Sequence, residues 1–367
     1  MLIEAKGFPE LFLEDRPLLD VRAEVEFSKG AFPLSVNIPI LNDSEREQIG
    51  IIYKQQGSAQ AVSAGHEMVS GELKSSRIAQ WEEFIRSNPQ VCLYCFRGGQ
   101  RSRIASEWLL ESGIDIPRIE GGYKALRRFL IDGTGKWAAT PELYVIGGKT
   151  GTGKTRVLQR FKAHLDLEAL ACHRGSAFGK RLTPQPTQIN FENNLAVALL
   201  KLNQSQYTRL LVEDESHMIG RSKVPDPLFA KMNDAELIIV EDPLSERVNR
   251  IYAEYIIEQC LEYENHSQYQ DDAFEMYAAY LLNSLKGISR RLGGTRYAAM
   301  RSLMESALRE QQQGKPELHK EWITELLINY YDPMYEYQLE KKQQRIIFYG
   351  SHEEITDWLC QQGFASV

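Results

Sequence analysis

The residues best equipped for chemistry lie in two short loops. In the first, VCLYCFRGGQRS, an apolar run ends on Cys95, two glycines follow, and Arg101 stands six positions after the cysteine. Glycines let a loop curl around the sulfur. Its inward N–H groups, with Arg101 and the start of a following helix, would favour the thiolate and hold an anion. A thiolate beside an anion cradle suits two reactions: phosphate-ester hydrolysis through a thiophosphate, or carriage of sulfur or selenium as a persulfide-type adduct. The loop alone does not choose. The plain alternative, an inert thiol in a degenerate docking domain, fits poorly with intact glycines and with both Arg97 and Arg101. Cys92 has an odd spacing from Cys95 on a strand, so the two side chains face opposite sides of the sheet and Cys92 reads as core. With no second cysteine pair at zinc spacing, a metal site here is not supported.

The second loop, Gly148-Lys149-Thr150-Gly151-Thr152-Gly153-Lys154-Thr155, satisfies G-x-x-x-x-G-K-[ST] between an apolar strand and the helix-compatible run RVLQRFKAHL. Gly148, Gly151 and Gly153 free backbone N–H groups to face phosphate oxygens, Lys154 neutralises them, and Thr155 reaches a magnesium ion. The ligand expected is one that bears a diphosphate. Further on, RLLVEDES is a strand ending in three acids, of which Asp214 is the first choice to hold that ion with Thr155, Glu213 being close behind.

Between these motifs, HRGSAFGKRLTPQPTQINFEN is basic and turn-rich, and places Arg174, Lys180 and Arg181 where a substrate loop would lie. The stretch from Lys286 to Arg301 has five basic residues and no acid. Arg290, Arg291 and Arg296, with Tyr297 for stacking, are candidates to follow an RNA backbone, although a solvated helix face has the same composition.

Two α/β cores are needed to position these loops. PLLDV, SVNIP, QVCLYC and PRIEGG alternate with helical patterns, which predicts a parallel sheet over residues 1–133. DGTGKWAATP gathers Gly, Thr and Pro, so residues 134–141 are expected to be a linker. ELYVIGG, LEALAC, RLLVED and AELIIVED predict a second parallel sheet within 142–367, with an amphipathic helix carrying Phe191, Leu195, Leu199 and Leu202 as part of that core. Residues 245–330 lose the strand signal and read as a helical subdomain. RIIFYG and the capped helix SHEEITDWL then return to the sheet.

At 367 residues, with 43% apolar and 25% charged residues, the chain is an ordinary globular composition with room for two or more cores. The net charge of −7 excludes nonspecific coating of nucleic acid, so any RNA must meet a local basic face. Five scattered cysteines, an odd number, argue against a disulfide framework. No apolar run reaches membrane-spanning length, and MLIEAKGFPELFLED lacks the basic and apolar regions of an export signal. A cytoplasmic protein with no membrane partner is the expectation.

PLLDVRAEVEFSKGAFPLSVNIP and RIEGGYKALR resemble a rhodanese-type sulfurtransferase domain, which implies that Asp20, Arg22, Asn37 and Pro39 are structural markers and Cys95 the chalcogen carrier. The loop departs from the shorter sulfurtransferase form, and Arg101-Ser102 also fits the phosphatase pattern, where Tyr94 replaces the usual histidine. CFRGGQRS, GGKTGTGKT, HRGSAFG and VEDES in this order are together similar to the bacterial tRNA 2-selenouridine synthase family over essentially the whole chain. That resemblance implies an N-terminal rhodanese-like domain followed by a P-loop NTPase-like domain with a C-terminal helical subdomain. It further implies a transferase acting on tRNA that bears 2-thiouridine at the wobble position. Geranyl diphosphate would alkylate the sulfur, and selenium from selenophosphate would then displace the geranylthio group. The phosphate loop would hold diphosphate, with magnesium on Thr155 and Asp214. Cys95, Arg97 and Arg101 would handle selenium, either as a selenenylsulfide or by positioning selenophosphate, and a selenophosphate-producing enzyme would be a partner. The rival readings are an ATP-dependent tRNA sulfurtransferase, a phosphatase fused to a kinase-like domain, and an RNA-binding scaffold with relic domains.

Overall fold

The computed structural model describes residues 1–266 and 272–367, which form two units: Met1–Ala138 with Thr187–Gln206, and Ala139–Pro186 with Tyr207–Val367. In the first unit, strands β1 (Leu2–Ile3), β2 (Leu18–Asp20), β3 (Ser35–Asn37), β4 (Cys92–Tyr94) and β5 (Arg118–Ile119) form a parallel sheet of order β1-β5-β4-β2-β3. Every residue of β2 and β4 is buried, as expected of a parallel sheet covered on both faces. Alternation along β4 sends Cys92 and Tyr94 into one apolar cluster and Leu93 and Cys95 into the other. Three helices, Asp43–Gln56, Ser58–Met68 and Gly71–Ser87, separate β3 from β4, and helix Gln100–Glu111 follows the thiol loop.

Two expectations about this unit need correcting. Residues 134–139 are not a linker but the end of helix Gly122–Ala139. Gly133 is there because the Trp137 ring fills the space a Cβ would take, and the Thr134 hydroxyl donates to the Leu130 carbonyl at 2.8 Å, so composition mimicked a break inside a continuous helix. The amphipathic helix Gln188–Gln204 also belongs to this unit rather than to the second core. Its Ala196, Val197 and Leu200 pack with Phe8, Leu11 and Phe32. Asn190 Oδ1 accepts from the Ala31 N–H at 2.7 Å, and Asn193 Nδ2 donates to the Ala31 carbonyl at 2.6 Å. Periodicity shows that a helix has an apolar face but not which core receives it.

The second unit has β6 (Glu142–Gly148), β7 (His164–Leu165), β8 (Arg209–Glu213), β11 (Glu236–Val240) and β12 (Ile346–Gly350) in a parallel sheet ordered β12-β11-β6-β8-β7, with β9 (Met218–Ile219) and β10 (Ser222–Lys223) as a separate antiparallel pair. LEALAC is not a strand: Leu167–Ala171 is a short helix because the Asp166 carboxylate caps it by accepting from the Ala169 N–H at 2.8 Å. The helix after the phosphate loop is only Lys154–Leu158. Helices continue beyond residue 330 to Glu340, and their core gathers Ile256, Tyr277, Tyr280, Leu285, Trp322 and Leu326 among others. Ser351 and Glu354 make the expected reciprocal cap of helix His352–Gln361.

Both sheets reverse direction at a strand that carries a reactive loop. Successive crossovers leave on opposite sides beside β4 in the first and β6 in the second, which opens a crevice at the carboxyl ends of those strands. Cys95 follows β4, and the phosphate loop begins at the end of β6.

Candidate active sites

The thiol loop is fixed from beneath. Tyr123 N–H donates to the Cys95 carbonyl at 2.9 Å and Lys124 N–H to that of Phe96 at 3.1 Å. Gly122, at φ 57°, lies so close beneath the loop that a Cβ would collide with the Cys95 carbonyl oxygen. Cys95 is 3% exposed, and its Sγ lies 3.2 Å from Ser102 Oγ, whose hydroxyl donates to the Gly99 carbonyl at 3.1 Å. Arg101 does not point a free guanidinium at the loop. It binds Glu26 through two hydrogen bonds, at 2.5 and 3.1 Å, and Arg46 approaches the same carboxylate at 3.2 Å. Burial alone would raise the Glu26 carboxyl, but Arg101, then the Ala23 N–H and Arg46, outweigh it and hold it below the usual range. Arg97 is exposed at the loop's rim.

Asp20 and Arg22 are both buried and tied by contacts of 2.6 to 3.0 Å, while Asn37 Nδ2 donates to both of their carbonyls, so these three brace the neighbouring strand end. Tyr94 lies on the opposite face from Cys95, with its hydroxyl donating to Ser35 Oγ at 3.2 Å, and takes no part at the thiol. Cys92 is fully buried on that face, and burial pushes its thiol up, as befits a core residue.

The phosphate loop adopts left-handed backbone at Gly151 and Gly153, φ 82° and 73°, and Lys154 Nζ folds back to the Gly148 carbonyl at a loose 3.3 Å. Side chains that sequence reasoning missed hold it. Arg247 Nε donates to the Thr150 carbonyl at 2.9 Å and pairs with Asp332; Arg250 binds the Gly151 carbonyl and Asp242; His352 Nε2 lies 2.5 Å from the Thr152 carbonyl. No motif flagged them, because each comes from a helix distant in sequence.

The acids fall differently from expectation. Thr155 Oγ1 donates to Glu213 Oε1 at 2.5 Å, whereas Asp214, the first choice as magnesium ligand, is ion-paired with Lys342 at 2.6 Å. Glu213, the last residue of β8, is fully buried where it meets Thr155, whereas Asp214 lines the cavity beside the loop with its partner Lys342. Glu168 and Glu215 lie close by, and Gly175 of the HRGSAFG loop packs against both carboxylates. Burial raises Glu168, Glu213 and Glu215 well above the usual carboxylate range; repulsion among them adds to it and the Lys154 charge opposes it. Among the described residues no group of three or more His, Cys, Asp or Glu is set to hold a cation alone. One hydroxyl and one carboxylate nevertheless suit a magnesium ion that takes its other ligands from a diphosphate and water.

The loop opens into a cavity of about 1320 Å³. Arg174, Arg181, Arg290 and Arg291 line it; Lys180 and Arg296 do not, so the six basic candidates divide four to two. Arg174 bonds Gln259 Oε1 at 3.1 Å and stacks over the Tyr255 ring at 4.8 Å. The same cavity is walled by Phe178, Tyr255, Trp322, Leu326, Leu327 and Tyr331. Much of it is presented by two π-helical stretches, Tyr252–Glu258 and Leu327–Tyr331, whose wider turn re-aims side chains.

Comparison with known proteins adds to this geometry. Residues 10–128 match the rhodanese-like domain, and residues 141–365 match the tRNA 2-selenouridine synthase AAA domain. Proteins named tRNA 2-selenouridine synthase from Shewanella frigidimarina (46% identity, 98% of each chain), Marinobacter nauticus (47%, 97% of each) and Pseudomonas fluorescens Pf-5 (46%, 99% of each) are similar over nearly their full lengths.

Proposed function

The chain belongs to the tRNA 2-selenouridine synthase family, and we propose that it converts wobble 2-thiouridine in tRNA to 2-selenouridine by two successive transfers, one at each reactive loop. It is a tRNA-modifying enzyme with no helix long and apolar enough to cross a membrane among the described residues.

In the first transfer the thiocarbonyl sulfur attacks C1 of geranyl diphosphate. The S–C1 bond forms, the C1–O bond breaks with its electrons leaving on diphosphate, and the N3 proton is released. Lys154 and the loop N–H groups take the charge that develops on the leaving diphosphate. Magnesium, held by Thr155 and Glu213 when bound, would supply further charge neutralisation there. The aromatic wall would accept the hydrocarbon chain, and aromatic rings there suit an allylic carbon gaining positive character. No nucleotide hydrolysis is required.

In the second transfer selenophosphate, its oxyanion held by the thiol-loop N–H groups with Arg97, attacks C2 through selenium, while Arg101 stays bound to Glu26 at the loop's flank. The geranylthio group leaves and takes a proton, and water cleaves the Se–P bond, so that hydrogen selenophosphate and water yield the 2-selenouridine, geranyl thiol and hydrogen phosphate. Cys95, with Ser102 at 3.2 Å, orients the selenium donor.

The observation that carries this reading is one cavity lined both by the phosphate loop and by aliphatic and aromatic side chains, suited to a ligand that is part anion and part hydrocarbon. Nucleoside mass analysis of 2-thiouridine tRNA tests it. Geranyl diphosphate alone should give S-geranyl-2-thiouridine, and both donors together should give 2-selenouridine. Unchanged 2-thiouridine in every mixture rejects the two-transfer scheme.

A further inference from the structure

A second, smaller cavity of about 190 Å³ opens in the first unit beside the thiol loop. Its walls are mostly apolar, among them Ile49, Ala61, Val62, Val69, Ile104 and Trp108; Ser58 and His66 also line it, as do Gln100 and Arg101, the first residues of the helix that follows the thiol loop. Ile40, Leu41, Val69 and Trp108 share one packed cluster with Cys95, and Ile49 and Ile104 lie against it. The groove is therefore continuous with the apolar surroundings of the thiol. One wall is helix Asp43–Gln56, which buries none of its residues and leaves Ile51 and Tyr53 48% and 60% exposed. Of its apolar residues Ile49 lies against the thiol's cluster and lines the groove with Tyr53, so apolar surface remains open there.

We propose that this groove holds the geranyl chain of the S-geranyl intermediate during the second transfer, so that the leaving geranylthio group is received beside Arg101 while selenophosphate occupies the loop. This rests on the two-transfer reading. The chemistry favours this occupant. The departing group is the one hydrocarbon moiety at the selenation centre, and the groove offers apolar contact to a short branched chain and little polar surface to anything else. The chain would then be recognised twice, once as a diphosphate ester at the aromatic wall and once as a thioether at this groove.

The test uses the full-length protein and measures kcat/KM for selenation of tRNA carrying S-geranyl-2-thiouridine against tRNA carrying S-methyl-2-thiouridine, both prepared chemically. Wild type is expected to prefer the geranyl substrate by about tenfold or more, and Val62→Phe, which fills the groove, to bring that ratio toward one. Ile49→Ala, which enlarges it, should raise the relative rate on an S-farnesyl substrate. Equal wild-type rates on S-methyl and S-geranyl tRNA, or a ratio unmoved by Val62→Phe and Ile49→Ala, overturn the proposal. Because these substrates bypass geranyl diphosphate, failure of the groove is separable from failure of the two-transfer reading, which shows as absence of wild-type geranylation.

Discussion

The thiol loop and the phosphate loop occupy equivalent places, each at the carboxyl end of the strand where a parallel sheet reverses, but they are finished differently. Around Cys95 the charges are already matched: Arg101 is bound to Glu26, Arg22 to Asp20, and the sulfur is almost wholly buried. Around Lys154 they are not. Its ammonium makes a long contact to a carbonyl and lies in the field of three crowded carboxylates, and six arginines line a cavity of about 1320 Å³. A loop that receives one small tetrahedral anion can be closed down in advance. One that receives a diphosphate, its counter-ion and a long chain must keep its charges available until the ligand arrives.

The largest expected effect is a crossover between the two loops. Lys154→Ala should slow S-geranylation by about a hundredfold or more while leaving selenation of pre-formed S-geranyl tRNA near wild type. Cys95→Ala should do the reverse, cutting selenation about a hundredfold through loss of positioning while geranylation continues. Separate rate measurements on the two substrates decide this. If either substitution abolishes both transfers in folded protein, the division of labour between the loops is wrong.

A smaller effect sharpens the phosphate-loop side. Glu213→Gln removes the carboxylate that meets Thr155 and should lower magnesium-supported geranylation by about ten- to a hundredfold, whereas Asp214→Asn loosens only the pairing with Lys342 and should change it a few-fold at most. Magnesium titrations of both variants would return Asp214 to the metal site if the order of effects were reversed.

The distinction between the loops was largely legible in the chain, and so were their strands. PLLDV, QVCLYC, ELYVIGG, RLLVED and AELIIVED are buried on both faces, so continuous apolar runs mark them without an alignment. What escaped depends on side chains meeting across the fold. The choice between Glu213 and Asp214 turns on one residue of strand register. Glu168 lay in a run misread as a strand because the Asp166 cap that makes it helical is a local hydrogen bond outweighed by apolar pattern. The aromatic wall depends on two π-helical stretches that have no sequence signature, and helix Gln188–Gln204 has an apolar stripe that fits either core.

The smallest predicted effect separates the two units by acid. His319 in the second unit is fully buried; its Nδ1 accepts the Trp322 indole N–H at 2.8 Å, and burial lowers its pKa to about 4. Because the unfolded chain binds this proton near pH 6.5 and the folded one does not, the stability contributed is complete above pH 6.5 and is lost as pH falls toward 4. The slope is about 1.4 kcal/mol per pH unit, or about 3 kcal/mol across the window. Glu168, Glu213 and Glu215 act in the opposite sense, since their raised values make the folded state bind protons more tightly, so the comparison must be with His319→Gln, which retains an acceptor for Trp322 and shares the carboxylate contribution. Denaturant unfolding of the full chain between pH 4 and 7 should show the wild type losing stability relative to this variant in the transition of the second unit. The first unit's sole histidine, His66, is exposed, so its transition should not respond to the substitution. A wild-type minus variant difference independent of pH would mean that His319 is not held neutral by burial.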